Sequence, residues 1–252
     1  MEPATNHFPG AAHAVPTFHD PRRPSDGFLV AELIEVLRSM RTRLARETRR
    51  RTRSGRPDLK AIMRSEQLQT GEDLVFRRSV SVPVVSRIRV VVNVDTSASL
   101  TKDFEDVRAS VAILSSALEA SGHLCAIVAY KVETATIKHW SDRGVPVFKV
   151  GGQADLRSAL DLDRRLLAGA HDGAEILVNF GDGVSLGEDA CRRWMRRFHR
   201  LEHGHSVAVR FGGTGRTVGE EAVIRAVDVG EFVSGMSAYL RALEGRIGAR
   251  AA

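Results

Sequence analysis

The residues best suited to chemistry are Asp95-Thr96-Ser97-Ala98-Ser99, which directly follow the apolar, β-branched run Ile88–Val94. In an extended loop, residues two apart point the same way. Asp95, Ser97 and Ser99 can therefore converge on one spot and present one carboxylate and two hydroxyls. A second carboxylate, Asp182, stands between two glycines in Gly181-Asp182-Gly183, just after the short apolar run Ile176–Phe180. Such hard oxygens suit a cation like Mg2+, which wants six oxygen ligands and gives up its water reluctantly. With so few charged ligands, one coordination position stays open to a carboxylate from a partner. The competing account is that Asp and Ser merely cap a helix. Placement after two buried strands favours the metal.

Other chemistry has less support. His199 and His203 lie four apart, with His205 and Cys191 nearby, and suggest zinc. No second pair has ligand spacing, so structural or solvent-facing histidines are the better reading. Phe211-Gly212-Gly213-Thr214-Gly215-Arg216 offers backbone amides to a phosphate, but reads as a flexible loop after a strand. There is no Gly-x-Ser-x-Gly elbow and no base beside Ser97, which argues against a serine hydrolase. No phosphate-binding GxxxxGK[ST] loop occurs, so the chain is not expected to hydrolyse ATP. No catalytic activity is expected of the chain alone.

The elements that must position these residues alternate. Strands are expected at Ile88–Val94, Leu124–Val132, Ile176–Phe180, Ser206–Phe211 and Val223–Val227, with Thr134–Trp140 as a hairpin partner. Helices are expected at Phe104–Ala120, Leu156–Leu167, Gly187–Leu201 and Glu231–Leu243. This alternation predicts an α/β fold, a three-layer doubly wound and mostly parallel sheet. In such sheets ligands bind beyond the carboxyl ends of the strands, where strand order reverses. Both acidic loops fall there.

The N-terminal third reads differently. Residues 1–27 are polar and proline-rich, and are expected to be a disordered arm. Residues 28–73 are expected to be a basic helical extension and linker, and residues 74–252 the α/β domain, with 74–84 as an edge strand. Leu29, Leu33, Leu37, Met40 and Leu44 recur at helical spacing, and Asp26 sits at the cap position. The helix is expected to run about five turns into an arginine-rich end. Arg46, Arg49, Arg50, Arg51 and Arg53 are the densest part of that run, in a chain of net charge +6. Such a cluster can attract nucleic acid or an acidic partner. No aromatic residue is interleaved for base stacking, and a solvated face explains the run as well. No apolar stretch reaches the length of a membrane span, and no secretory leader is evident. Two cysteines in 252 residues fit a reducing compartment. A cytoplasmic protein is expected.

The pattern Val-Asn-Val-Asp95-Thr-Ser97-Ala-Ser99, with Gly-Asp182-Gly later, resembles the metal-ion-dependent adhesion site (MIDAS) of von Willebrand factor A (VWA) domains. The resemblance implies a Rossmann-like fold. It also implies Mg2+ or Mn2+ held by Asp95, Ser97, Ser99 and Asp182, with a threonine from a second loop. That loop reads Gly151-Gly152-Gln153-Ala154-Asp155-Leu156 here and has no threonine. Asp155 is the candidate in its place and Gln153 the second choice. More narrowly, residues 55–245 resemble the C-terminal domain of the CobT-type subunit of aerobic cobaltochelatase. The segments that carry this are Gly55–Leu59 with Val75–Arg78, then Gln153–Leu156, and Val223–Asp228 with Glu231–Leu243. This resemblance implies a metal-dependent protein-interaction module, an adaptor or chelatase-type subunit working with a MoxR-type AAA+ ATPase. A partner would supply an acidic residue to the metal. The alternative is a nucleic-acid-associated protein using the Arg38–Arg56 segment.

Overall fold

The computed structural model describes residues 26–52, 56–57, 63, 76–85, 87–131, 134–144, 149–169, 171, 173–183, 187–201, 203–212 and 217–251. The expected arm falls almost wholly outside these residues, as do most of the linker, Arg53, and Gly213–Arg216.

Nine strands and five helices carry the described chain. The strands are β1 (Thr42–Thr52), β2 (Arg56–Pro57), β3 (Phe76–Val85), β4 (Arg89–Asp95), β5 (Leu124–Tyr130), β6 (Ala135–Lys138), β7 (Glu175–Phe180), β8 (Gly204–Phe211) and β9 (Ala222–Ala226). The helices are α1 (Gly27–Arg41), α2 (Phe104–Ala120), α3 (Leu156–Leu166), α4 (Glu188–Phe198) and α5 (Val229–Ala251). Six strands form the main sheet in the order β6-β5-β4-β7-β8-β9, all parallel except β6.

The β-branched run predicts a strand buried on both faces, and all seven residues of β4 are buried at the centre of the sheet. Alternation then sorts its side chains. Val90, Val92 and Val94 enter one apolar layer, with α1, α2 and α5. Val91 enters the other, with Leu156 and Leu160 of α3 and Met195 and Phe198 of α4. Arg89, Asn93 and Asp95 share the phase of Val91. The chain leaves β4 for β5 on one side and later returns as β7 on the other, so strand order reverses at β4. The loops after β4 and β7 part there and leave a crevice.

Two expectations for the N-terminal third are corrected. The first helix is part of the main core rather than an extension: α1 packs on α2 and α5, with Leu33 and Leu37 fully buried. Each such leucine contributes about 1.5–3 kcal/mol. His123 ties α1 to the sheet. Its Nδ1 accepts from the Ile88 amide at 3.2 Å, so Nε2 carries the hydrogen and donates to the Leu37 carbonyl at 2.9 Å.

Second, the helix stops at Arg41, and the arginine-rich residues 42–52 form β1. After Met40 only Leu44 continues the apolar stripe, and a helix would stack Arg46, Arg49, Arg50 and Arg53 as like-charged i,i+3 and i,i+4 neighbours. Paired strand backbone avoids that. β1 runs antiparallel to β3, from Thr42 opposite Val85 to Arg49 opposite Arg78. β3 is thus the centre of a separate sheet of order β1-β3-β2 and not an edge of the main one. Among the described residues no helix is long and apolar enough to cross a membrane.

Candidate metal centre

Asp95 is the last residue of β4, and the backbone turns immediately after it. Its Oδ1 accepts from the Ser97 amide at 2.8 Å, a local turn that folds residues 95–99 back on themselves. Ser97 then occupies the cap position of a short 3-10 turn, Ala98–Leu100, but its side chain makes no capping bond. The capping explanation of the Asp-x-Ser-x-Ser string therefore accounts for one carboxylate oxygen and no hydroxyl.

The hydroxyls point elsewhere. Ser97 Oγ lies 2.9 Å from Ser99 Oγ, and Ser99 Oγ donates to Asp182 Oδ2 at 2.7 Å. With the Ser99 hydrogen committed to Asp182, Ser97 is the donor to Ser99. Asp95, Ser97, Ser99 and Asp182 thus form one continuous polar string, rising from the buried Asp95 and Ser97 to the half-buried Asp182 and exposed Ser99. Asp182 arrives from the loop after β7, next to β4, as strand order demands.

One atom in this string is unsatisfied. Asp95 Oδ2 is buried and has no hydrogen-bond partner among the described residues. Leaving a buried carboxylate oxygen unpaired is costly. Burial accordingly pushes the Asp95 carboxyl above its usual value; the Ser97 hydrogen bonds oppose the rise, Asp182 adds to it, and the Arg210 guanidinium opposes it. The donor set fits a divalent cation: two carboxylates, two hydroxyls and no sulfur or imidazole. The spare oxygen on Asp95 is the atom a cation would satisfy. The backbone leaves room for this arrangement only because residue 181 is glycine. A Cβ there would stand 2.9 Å from Tyr130 Oη, 3.1 Å from Asp95 Cβ and 3.3 Å from Asp95 Oδ2.

The second loop reaches the site by its backbone. Gly151 N donates to Thr96 O at 2.7 Å, and Ala98 N donates to Gly152 O at 3.2 Å. Gly151 and Gly152 adopt φ of 152° and 96°, a region that favours glycine. Asp155 is not brought to the others. Its carboxylate caps α3, accepting from Ser158 N and Ser158 Oγ, and Gln153 is exposed. Among the described residues no three His, Cys, Asp or Glu side chains group to hold a metal, so Asp155 does not join Asp95 and Asp182. A carboxylate one residue before a helix has the caps of that helix within immediate reach, and that use prevails. Arg46, Arg49, Arg50 and Arg51 lie on β1, and their side chains fall outside the description. Two of the three histidines have protein partners: His199 Nε2 pairs with Ser206 Oγ at 2.7 Å and His205 Nδ1 with Glu221 Oε2 at 3.3 Å, while Cys191 is buried in the core.

Beneath the site lies a buried polar layer that the motif search missed. Asn93 Nδ2 donates to Asp163 Oδ2 at 2.7 Å and to Asn179 Oδ1 at 2.9 Å. Asn179 Nδ2 donates to Glu220 Oε1 at 3.1 Å, which also accepts from Arg210 Nη2 at 3.3 Å. Arg210 Nη1 holds the Asn179 carbonyl at 2.9 Å. Burial pushes the Asp163 carboxyl up to about 8, and the Asn93 hydrogen bond opposes the shift. Asp163 Oδ1 and Asn93 Oδ1 are both buried without a hydrogen-bond partner. The signal for this layer was present: Asn93, Asn179 and Arg210 each interrupt an apolar strand one residue before its last apolar position.

No protein-family model matches the sequence, and no curated protein does. Solved structures match in fold. Proximal thread matrix protein 1 from the mussel byssus superposes with a TM-score of 0.51 at 14% identity, over 62% of this chain and 47% of that one. A structure of the same protein with a zinc-occupied MIDAS motif gives 0.50 at 12% identity, over 63% and 46%. A von Willebrand factor type A protein from Catenulispora acidiphila gives 0.45 at 12%, over 65% and 44%. The matched region is under half the length of each of these chains. At such identities the likeness shows the fold, a three-layer α/β domain of the VWA type.

Proposed function

We propose that this chain is a metal-ion-dependent protein-interaction module, in which Asp95, Ser97, Ser99 and Asp182 hold a divalent cation and a partner's carboxylate completes its shell. The observation that carries the reading is the buried, unpartnered Asp95 Oδ2, at the inner end of a string of oxygens that opens to the surface at the strand-order reversal. Mg2+ or Mn2+ suits these oxygens best. Zn2+ deserves a place beside them, because the structurally similar mussel protein has been solved with zinc in its MIDAS motif. When bound, the cation supplies a Lewis-acidic position facing solvent. Asp95 with its unpartnered Oδ2, the hydroxyls of Ser97 and Ser99, and Asp182 are the groups that would hold it. Binding of a partner's carboxylate, rather than catalysis, is the output this reading assigns to the site.

The finer reading is a CobT-like adaptor or chelatase-type subunit that works in the cytoplasm with a MoxR-type AAA+ ATPase. Its support is the sequence resemblance, together with two buried free thiols, Cys125 and Cys191. The test is calorimetric titration of Mg2+, Mn2+ and Zn2+ into the full chain and into Asp95→Ala. Capture of a MoxR-type ATPase is measured beside it, with and without chelator. Metal binding that vanishes in the variant, and capture that needs metal, support the proposal. Saturable binding that survives Asp95→Ala overturns it.

A further inference from the structure

At the opposite end of the sheet from Asp95, the C-terminal turns of α3 and α4 enclose a cavity of about 440 Å³. Its apolar walls are Leu167, Ala168, Trp194, Phe198 and Leu201. Trp194 and Phe198 stack with ring centroids 5.3 Å apart, which stiffens that wall. Leu201 is 56% exposed, one of few large apolar side chains so placed among the described residues. An occupant that covers it removes apolar surface from water. The volume is that of sites that take a ligand or an anchoring side chain.

Among the described residues that line the cavity, the charges without an ion-pair partner have one sign. Glu175, the acidic residue in the lining, is already paired with Arg89, whose guanidinium also donates to the Leu167 carbonyl at 3.1 Å. Arg164 and Arg197 also line the cavity, are exposed, and form no ion pair among the described residues. Arg165, Arg196 and Arg200 are exposed on the same two helix ends. A guanidinium binds a carboxylate through two parallel N–H donors. We propose that this cavity docks an acidic peptide segment, which inserts one large apolar side chain between α3 and α4 while flanking carboxylates pair with Arg164 and Arg197. Nucleic acid fits less well. The cavity offers no side-chain amide or hydroxyl to a base edge, and Phe198 already covers one face of Trp194. β7 spans six residues between this cavity and the metal loops, a separation of about 20 Å. Docking here is therefore independent of the metal.

The test is fluorescence anisotropy on the full chain with short labelled peptides, in which a central Leu, Phe or Trp is flanked by Asp and Glu. Ala-centred and Lys-flanked peptides and a labelled oligo-dT serve as comparisons. The expected result is saturable binding of at least one acidic, apolar-centred peptide. It should weaken about tenfold in Arg164→Glu/Arg197→Glu and fall with Leu201→Asp. All three positions are exposed, so the variants keep the fold. Chelator and Asp95→Ala should leave this binding unchanged, so its failure and failure of the metal reading are separate results. Absence of binding by every acidic, apolar-centred peptide overturns the proposal. Equal binding of the Ala-centred peptide, insensitivity to the arginine reversals, or tighter binding of oligo-dT through the same arginines does so too.

Discussion

Asp95→Asn separates a metal ligand from a structural carboxylate, because it should move stability in opposite directions with and without metal. In chelator, the wild-type chain keeps a buried carboxylate whose Oδ2 has no partner, and burial raises its proton affinity. A carboxyl raised in the folded state costs stability above its folded pKa, and costs nothing below the unfolded value of 3.8. The amide carries no charge and keeps an oxygen for the Ser97 amide. The variant should therefore melt higher than wild type in chelator at pH 8, with the difference shrinking as pH falls toward 4. With metal the order reverses. At a cation concentration about 100 times Kd, linkage adds about 2.7 kcal/mol to the protein that binds it, or about 5–10 °C for a chain of this size. Wild type should gain that shift and Asp95→Asn should lose most of it. Protons and metal compete for the same oxygen, so the wild-type gain should shrink over the same acidic window. Differential scanning calorimetry at two pH values, with chelator and with Mn2+, reads all four quantities. A variant that keeps the metal-induced shift, or that melts below wild type in chelator at pH 8, would refute the reasoning.

Three further variants probe the surroundings. Gly181→Ala places a Cβ 2.9 Å from Tyr130 Oη and 3.1 Å from Asp95 Cβ; urea denaturation should show a loss of about 1–3 kcal/mol with weaker Mn2+ binding, and an unchanged midpoint would contradict the close packing. Asp163 holds its proton to about pH 8 in the folded chain against 3.8 as the unfolded reference, so wild-type stability should decline between those values by up to about 1.4 kcal/mol per pH unit. Asp163→Asn should flatten that decline in urea melts at pH 5 and pH 8, and equal slopes would show that Asp163 is ionised when folded. Asp155→Ala should cost about 1 kcal/mol through loss of the α3 cap and leave the calorimetric metal titration intact; a lost isotherm would make Asp155 a ligand after all.

Much of the α/β layout was legible because it rests on local patterns. The run Ile88–Val94 is β-branched and nearly continuous, the pattern of a strand buried on both faces, and it stands at the centre of the sheet. The amphipathic stretch Phe104–Ala120 forms the helix expected of it residue for residue. Asp95, Ser97, Ser99 and Asp182 were found by combining short spacing with position after buried strands. Their convergence then follows from parallel strand order, which places the β4 and β7 loops side by side.

Other features depend on which partner each segment meets, and spacing does not encode that. Whether the arginines after Arg41 extend a helix or pair as a strand was decided by β3, far along the chain. Whether α1 is an appendage or core was decided by the apolar faces of α2 and α5 that receive it. Asp155 looks like a ligand in sequence and is a cap in space, since Ser158 lies nearer than the crevice. Asn93, Asp163, Asn179, Arg210 and Glu220 come from distant segments and become one network only when the sheet brings them together. By itself the sequence determined the period of each element and the types of oxygen it could offer, because these are set by neighbours a few residues apart. The tertiary structure alone decided which of those oxygens lack a partner, because burial and hydrogen bonding are properties of the packed chain.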